Sequence, residues 1–574
     1  MKFRWSLAPS QPLRAGQLAA QFKISSLLAQ CLLNRGLSEP PAIEKFLSPR
    51  LKHLADPFLL PDMATAVNRL FRAHHEKEPL VIFGDYDVDG VTSTTILLEV
   101  LRGLGWQADA YLPNRMEEGY GLSRDGVENC LKKFPVKLVL AVDCGSTSVE
   151  TISWLRGRSV DVIVLDHHQV SDPLPPAVAL VNPQLSTAND QPSTGFTELC
   201  SAGLAFKLAH ALVKRGRENG LAGAAQFDLK PLLDLVALGT IADVVPLVGE
   251  NRILVTAGLE RLNVTQRPGL VALKEVAQSP ETLGVHDVGF QLAPRLNAAG
   301  RLETAEESLN LLLANTVAEA MSLAQKLDAR NRERQKIEKS IVEEVLGAVR
   351  AKFDAQKHWV IVEAQVLWHI GVVGIVASRV LQEFYRPTII IGGDESQMRG
   401  SGRSIAGFDL AAALRECDDL LLRHGGHAMA AGLSVVPEKI DLLRERLNEI
   451  ARRQLKPEDL LPPLRVDAEI RLAELTLNSL ADLDQSKPTG QGNPALQFCA
   501  RNLSHAKPLQ RMGANKQHVK MWVTDGGTTH EAVWWNAGTG PMPTARFDLA
   551  FAPSINEFNG RRSVQLKILD WRAA

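Results

Sequence analysis

The chain has 574 residues, of which 45% are hydrophobic and 22% charged, with 64 Lys+Arg against 65 Asp+Glu. This is ordinary soluble globular composition, with apolar material for several independent cores and three or four domains, and with no internal repeat or low-complexity tract. A net charge of -1 names no polyanionic partner, although a local basic surface can coexist with overall neutrality. The six cysteines are scattered without a C-x-x-C pair, which argues against a disulfide framework or a structural zinc site and for a reducing compartment. The opening "MKFRWSLAPSQPLRAG" lacks the apolar core of a signal peptide, and no segment approaches the roughly 20 apolar residues of a membrane span, so a cytoplasmic location is expected.

Along the chain, residues 79–84 ("PLVIFG") form a short apolar run of buried-strand type, and "VTSTTILLEVLRGLG" reads as a helix closed by Gly103 or Gly105. The pattern recurs in "VKLVLAVDCGSTS", a strand ending at Asp143, and in "VDVIVLDHHQV", a strand ending at Asp166, His167 and His168. Alternating strands and helices with continuously apolar strands predict an α/β domain with a parallel, doubly wound sheet, whose ligands bind beyond the carboxyl ends of the strands. A polar loop, "NPQLSTANDQPSTGF", precedes helical segments that include "KPLLDLVALGTIADVVPL".

From about Val317 to Phe353 the pattern is helical and heavily charged, and is read as a solvated spacer. Strand, loop and helix in "HWVIVEAQVLWHIGVVGIVASRVLQEF", the strand "RPTIIIGGD" and the glycine-rich turn "GHAMAAGLSVV" then make a second α/β unit. "KPEDLLPPL", with three prolines, reads as a linker. Short alternating segments come next ("HVKMWVTDGG", "HEAVWWNAG", "RRSVQLKILDW"), as in a small β-barrel of the oligonucleotide/oligosaccharide-binding (OB) type. From Ala500 to Ala574 there are ten Lys+Arg and five Asp+Glu, so this piece carries +5. The expected domains are 1–315, 316–356 (connecting helix), 357–455, and 456–574 (linker and barrel).

"GDYDVDG" sets Asp85, Asp87 and Asp89 on alternate positions where a strand ends, and like charges so close repel unless a cation lies among them. An EF-hand would need a preceding helix and a bidentate Glu at position twelve, where this chain has Ile96. Turn chemistry beside Gly90 would explain these aspartates alone. It does not explain Asp143, Asp166, His167, His168 and Asp243, most of them at strand ends facing one crevice. Oxygen-rich sites with one or two imidazoles suit Mn²⁺ or Mg²⁺ better than zinc. Two such ions about 3.5–4 Å apart clamp the attacking and leaving oxygens of a phosphoryl displacement. The residues alone therefore point to a phosphoester hydrolase with a two-metal site.

"GDYDVDG", "VDCGS", "LDHH" and "GTIADVVPL", in this order, resemble the metal-site motifs of the DHH phosphoesterase superfamily. "PRLNAAGRL" (294–302), "GVVGIVASR" (371–379), "GSGRSIAGFDL" (400–410), "GGHAMAAG" (425–432), "KPTGQGNP" (487–494) and "FNGRRSVQL" (558–566) resemble its single-stranded-DNA exonuclease branch, so the likeness spans nearly the whole chain. The resemblance implies that Asp85 and Asp87 bind separate ions, that Asp143 bridges them, and that His167 and Asp243 complete one shell. It implies that His168 faces the scissile phosphate and that Asp166 orients an imidazole. Asp89 is placed with the catalytic set, although its position is not a ligand elsewhere in the superfamily. Small-substrate members carry a His where this chain has Val81, which leaves one shell incomplete by that pattern.

For substrate, Arg295, Asn297 and Arg301 could reach phosphates, the competing reading for either arginine being an interdomain salt bridge. Ser401, Arg403 and Ser404 cluster among glycines that let backbone N–H groups approach an anion, and with Gly425, Gly426 and His427 resemble the substrate-binding element of the DHH-associated domain. In the barrel, Trp522 is the candidate stacking residue, while alternation makes at least one of Trp534 and Trp535 a core residue.

The resemblance implies a 5′→3′ exonuclease that releases 5′-mononucleotides from single-stranded DNA in repair and recombination. By the same resemblance its partners are a single-stranded-DNA-binding protein and a helicase, and the chain is expected to be monomeric. The alternative is a DHH phosphodiesterase acting on short oligonucleotides or cyclic dinucleotides. Such enzymes lack the barrel, so residues 460–574 discriminate.

Overall fold

A computed structural model describes residues 3–114, 117–119, 121–185, 195–302, 304–394, 398–538 and 540–574. Most of the polar loop expected at 182–196 lies outside the described residues. The chain packs as two units, one gathering Met1–Glu44, Gln335–Lys487 and Ala495–Ala574, the other Lys45–Arg334 with Pro488–Pro494. No helix among the described residues is long and apolar enough to cross a membrane.

The chain opens with a short strand, β1 (Arg4–Leu7). In the unit built on Lys45–Arg334, β2 (Leu80–Phe83), β3 (Ala108–Tyr111), β4 (Leu138–Val142), β5 (Asp161–Leu165) and β6 (Ala179–Val181) form a parallel sheet in the order β3-β2-β4-β5-β6. Leu80, Ile82, Leu138, Leu140 and Ile163 feed a core on one face, and Val81, Phe83, Val139, Ala141 and Val162 feed another on the opposite face. Burial on both faces is why these strands read as continuous apolar runs. It also makes Val81 a core residue, filling space in the second core. Helix α1 (Val88–Gly103) packs against α2 (Ser201–Glu218) and α3 (Leu233–Ala242). Helix α4 (Ala293–Leu302) carries the "PRLNAAGRL" segment.

The long helix α5 (Val317–Lys352) corrects the solvated-spacer expectation. Ala320, Ala324 and Leu327 are fully buried in the large core of the first sheet, while Ile341, Val345 and Val349 enter a core with Ile361, Val373 and Val376. Each half therefore buries its own narrow apolar stripe, which the many charges on the other faces hide in the sequence.

The second α/β sheet comprises β7 (Ile361–Ala364), β8 (Thr388–Gly393), β9 (Met398–Arg403), β10 (Leu421–His427) and β11 (Ala430–Val435), ordered β10-β11-β9-β8-β7, with only β7 and β8 parallel. Helix α6 (Val373–Phe384) packs on β8 and β9. The proline-rich linker contains a strand, β12 (Pro463–Val466), that runs parallel to β1 from Arg4↔Pro463 to Leu7↔Val466. Residues 1–44 thereby group with the later part of the chain, and not with residues 45–315 as expected from their order in sequence.

After β13 (Ala468–Glu469) comes the barrel: β14 (Phe498–Met512), β15 (His518–Thr524), β16 (Thr529–Trp534), β17 (Phe547–Phe558) and β18 (Arg561–Ala573). They run β14-β15-β16-β18-β17 and close through β14–β17, the ring of an OB fold. Trp534 is 8% exposed and Trp535 50%, so one of the pair is core, as alternation requires. The "KPTGQGNP" segment, expected with the barrel, instead belongs largely to the unit of the first sheet: Leu247 N–H donates to Gln491 O (2.7 Å), and Arg252 Nη1 to Pro488 O (3.2 Å).

Candidate functional site

The carboxyl ends of β2, β4 and β5 are in register, Phe83 opposite Ala141 and Val142 opposite Leu165, so the residues just beyond each strand share one edge. Asp85 lies just beyond β2. Asp87 caps α1, its Oδ1 accepting the N–H groups of Asp89 (2.9 Å) and Gly90 (3.1 Å). A Cβ at Gly90 would stand 2.5 Å from Asp85 O, so the loop closes only around glycine. Asp143 succeeds β4 with φ +64°, a left-handed conformation that a non-glycine residue adopts under strain. His167 and His168 stand beyond β5 directly after Asp166, and Asp243 is the C-cap of α3.

Ligand-type atoms come within 4.8 Å of one another in three sets: Asp85, Asp87 and Asp143; Asp89, His167 and Asp243; and Asp143, His167 and His168. His167 Nε2 lies 3.5 Å from Asp143 Oδ1 and 3.6 Å from Asp243 Oδ2. Burial, and then the neighbouring carboxylates, push Asp143 well above the usual carboxylate range and Asp243 up to about 9. Burial, then the charge of His168, lowers His167 to about 4. His167 Nε2 and Asp243 Oδ2 are buried without a hydrogen-bond partner among the described residues. Crowded buried carboxylates raised in this way, beside an imidazole and a carboxylate oxygen with nothing to bond, are a donor set suited to hard divalent cations.

Asp89, read with the catalytic set and grouped here with His167 and Asp243, is also held by a helix end. Its Oδ2 accepts Ser201 N–H (2.7 Å) and its Oδ1 Ala202 N–H (2.8 Å), so its carboxylate caps the N-terminus of α2. Burial and the charge of Asp87 raise it to about 6, against those two N–H groups. Ser201 Oγ in turn donates to Asp143 Oδ1 (2.9 Å). Asp166 holds the ring of His168, whose Nδ1 lies 2.7 Å from Oδ1. Burial opposes the charge on both. The mutual bond outweighs it, holding Asp166 below the ordinary range and raising His168 to about 9. Asn182, just beyond β6, donates to Ser146 Oγ (2.9 Å) and His168 O (2.8 Å). Sequence reasoning misses Ser201 and Asn182. Asn182 obeys the same strand-end rule as the aspartates but reads as the start of the polar loop, and Ser201 opens a helix with no distinguishing pattern.

The substrate candidates separate by surroundings. Arg295 is ion-paired with Asp328 (2.9 Å) and donates to Gln291 O (2.6 Å). Asn297 Oδ1 accepts Val88 N–H (3.1 Å), and Arg301 lies in the last turn of α4. Ser404 is buried and its hydroxyl donates to Phe408 O (2.7 Å), which makes it a turn residue and corrects its expected role at the substrate. In the second sheet, Arg403 and His427 both pair with Ala430, and Ser401 and Gly425 both pair with Gly432. Arg403, Ser401 and His427 therefore share one face above a floor of Ala430, Gly432 and Gly425. Arg403 Nη1 donates to Ser401 Oγ (3.1 Å). A Cβ at Gly374, in the first turn of α6, would come within 2.9 Å of that hydroxyl and 3.3 Å of the guanidinium. The N-terminus of α6, which has no side-chain cap, thus adjoins an arginine and a serine, a seat suited to an anion. Gly426, with φ +133° and Ala430 O 2.5 Å from where a Cβ would be, is required by the hairpin. In the barrel, Trp522 lies between Lys507 (5.3 Å) and Lys520 (5.6 Å).

A parallel sheet with acidic and imidazole groups along its carboxyl edge, succeeded by a second α/β unit, defines a DHH-type phosphoesterase. Residues 79–240 match the DHH family N-terminal domain, 357–453 the DHHA1 domain and 466–570 the RecJ OB domain. The single-stranded-DNA-specific exonuclease RecJ of Bacillus subtilis is 38% identical over 99% of this chain and 71% of its own length. That of Dickeya dadantii is 38% identical over 95% of this chain and 96% of its own. The crystal structure of RecJ from Thermus thermophilus in complex with Mn²⁺ superposes with a TM-score of 0.84, at 29% identity, covering 100% of this chain and 80% of that one. The chain belongs to the RecJ family.

Proposed function

We propose that this protein is a metal-dependent exonuclease that degrades single-stranded DNA from its 5′ end and releases 5′-mononucleotides, in DNA repair and recombination. The observation that carries the reading is the meeting of Asp85, Asp87, Asp143, His167 and Asp243 at one sheet edge, in a chain that also carries an OB barrel. Asp85 and Asp87 are assigned as ligands of separate ions, Asp143 as the bridge, and His167 with Asp243 as the remainder of one shell. Mn²⁺ or Mg²⁺ in such a pair supplies charge to the leaving and attacking oxygens and a nucleophile at neutral pH.

The chain's own groups do the rest. Ser201 fixes one oxygen of Asp143, so that carboxylate enters the site in a single orientation. Asp166 accepts the hydrogen bond of His168 Nδ1–H, which leaves Nε2 as the atom presented to a phosphate oxygen. Arg403, Ser401 and the α6 N-terminus hold a phosphate at the 5′ end, with His427 beside them on the same face. The barrel, with Trp522 flanked by lysines and its excess of positive charge, takes up the strand. A substrate of a few nucleotides would need no such barrel, so the cyclic-dinucleotide alternative is not favoured. By the same reading the protein is a cytoplasmic monomer that works with a single-stranded-DNA-binding protein and a helicase.

The test is digestion of 5′- and 3′-end-labelled single strands by wild type and Asp143→Ala, with and without Mn²⁺. Mononucleotides from the 5′ end, lost in the variant and without metal, are expected. Undiminished turnover by Asp143→Ala would refute the bridging role.

A further inference from the structure

We infer that Asn297 is a positioning residue for the metal-binding aspartate loop and not a contact to substrate phosphate. This rests on the two-metal reading of Asp85 and Asp87. The N-terminus of α1 leaves four backbone N–H groups to be satisfied. Asp87 Oδ1 takes those of Asp89 and Gly90, while its carbonyl accepts Val91 N–H (2.9 Å) as the first intrahelical bond. That of Val88, the first helical residue, is met from another helix, by Asn297 Oδ1 at 3.1 Å. One turn further along α4, Gly300 touches the same loop, since a Cβ there would stand 2.7 Å from Tyr86 O and 3.3 Å from Tyr86 Cβ.

Helix α4 is itself anchored. Arg295 binds Asp328 of α5 at 2.9 Å, and Ser308 Oγ donates to Leu296 O at 2.9 Å. The loop between β2 and α1 is thus pressed from one side by a helix whose own position is set elsewhere. A carboxylate pair can hold ions at fixed spacing only if its backbone does not yield. The buttress supplies that rigidity, and it explains why an Asn and a Gly stand three residues apart in "NAAGR". The amide oxygen is committed to the loop, and that bond fixes the plane of the Asn297 side chain.

The test uses the full-length chain in three variants: Asn297→Ala, Asn297→Asp, which keeps the acceptor, and Gly300→Ala. Three quantities are read: amide hydrogen exchange of residues 84–92 in EDTA, Mn²⁺ affinity by calorimetry, and affinity for a single-stranded oligonucleotide in EDTA. Asn297→Ala should speed exchange in that segment and weaken Mn²⁺ binding about 10–100-fold, with DNA affinity unchanged. Asn297→Asp should restore both, and Gly300→Ala should reproduce the fast exchange. Unchanged exchange and Mn²⁺ affinity, with weaker DNA binding, would overturn the inference in favour of a phosphate contact. Should Asn297→Ala not fold, Gly300→Ala decides: normal exchange in 84–92 overturns the inference. A wild type that binds Mn²⁺ but degrades no DNA would instead count against the proposed function alone.

Discussion

Ser201 donates its backbone N–H to Oδ2 of Asp89 at 2.7 Å, while its hydroxyl donates to Oδ1 of Asp143 at 2.9 Å. One buried serine at the start of α2 thus ties the third aspartate of the first motif to the aspartate of the second. Asp89 is bound at a helix end through both carboxylate oxygens, while Asp143 gives one oxygen to the serine hydroxyl.

Removal of Asp89 should therefore act on stability before it acts on metal. Asp89→Ala leaves two buried N–H groups without acceptors, at a cost of about 1–3 kcal/mol each. Thermal unfolding in EDTA should show this as a fall in Tm of several degrees. A Tm unchanged in EDTA, with Mn²⁺ affinity lost, would mean that Asp89 is a ligand.

Ser201→Ala removes only the hydroxyl bond to Asp143. Turnover at saturating DNA should fall about tenfold, with KM unchanged, because the loss falls on the orientation of a ligand and not on substrate binding. Steady-state kinetics on a single-stranded oligonucleotide check it.

Arg403 and Ser404, adjacent in sequence, should separate cleanly. Arg403→Ala loses a charged hydrogen-bonding group at the anion seat, worth about 1.5–3 kcal/mol, so KM for a 5′-phosphorylated strand should rise at least tenfold. Ser404→Ala should lower stability by about 1 kcal/mol and leave KM alone, since its hydroxyl serves Phe408 O.

Metal removal should make stability depend on pH in a defined direction. In the metal-free protein, Asp243 is raised to about 9 from an ordinary carboxylate value, and His168 to about 9 from an ordinary imidazole value. The folded state therefore binds more protons than the unfolded state between about pH 6.5 and 9, and stability must fall as pH rises through that window. Urea unfolding in EDTA at the two ends of the window should show a lower midpoint at the higher pH. Mn²⁺ should raise the midpoint most at the alkaline end, where protons no longer compete for the carboxylates.

Much of the site was legible before folding was considered. Acidic and imidazole residues stood at the ends of apolar runs, and in a parallel sheet all strand ends of one polarity share an edge, so local pattern sufficed to converge Asp85, Asp143 and His167. The barrel was legible for the same reason, because alternation with turn glycines has a fixed period. The helix at 317–352 was legible too, but its burial was not, since charges on its exposed faces masked the stripe of Ala320, Ala324, Ile341 and Val345. Nor was β12, whose only partner among the described strands is β1, at the other end of the sequence.

What residue order determined by itself was chemistry: which acids, imidazoles and aromatics exist, and which strand ends carry them. What tertiary structure alone decided was employment. Asn297 and Asp89 read as functional polar groups, yet each is occupied by a backbone N–H from a distant segment, at Val88 and at Ser201 and Ala202. A polar side chain does not announce in sequence whether its partner will be a ligand or the protein's own backbone, because unsatisfied helix ends become donors only once helices are packed.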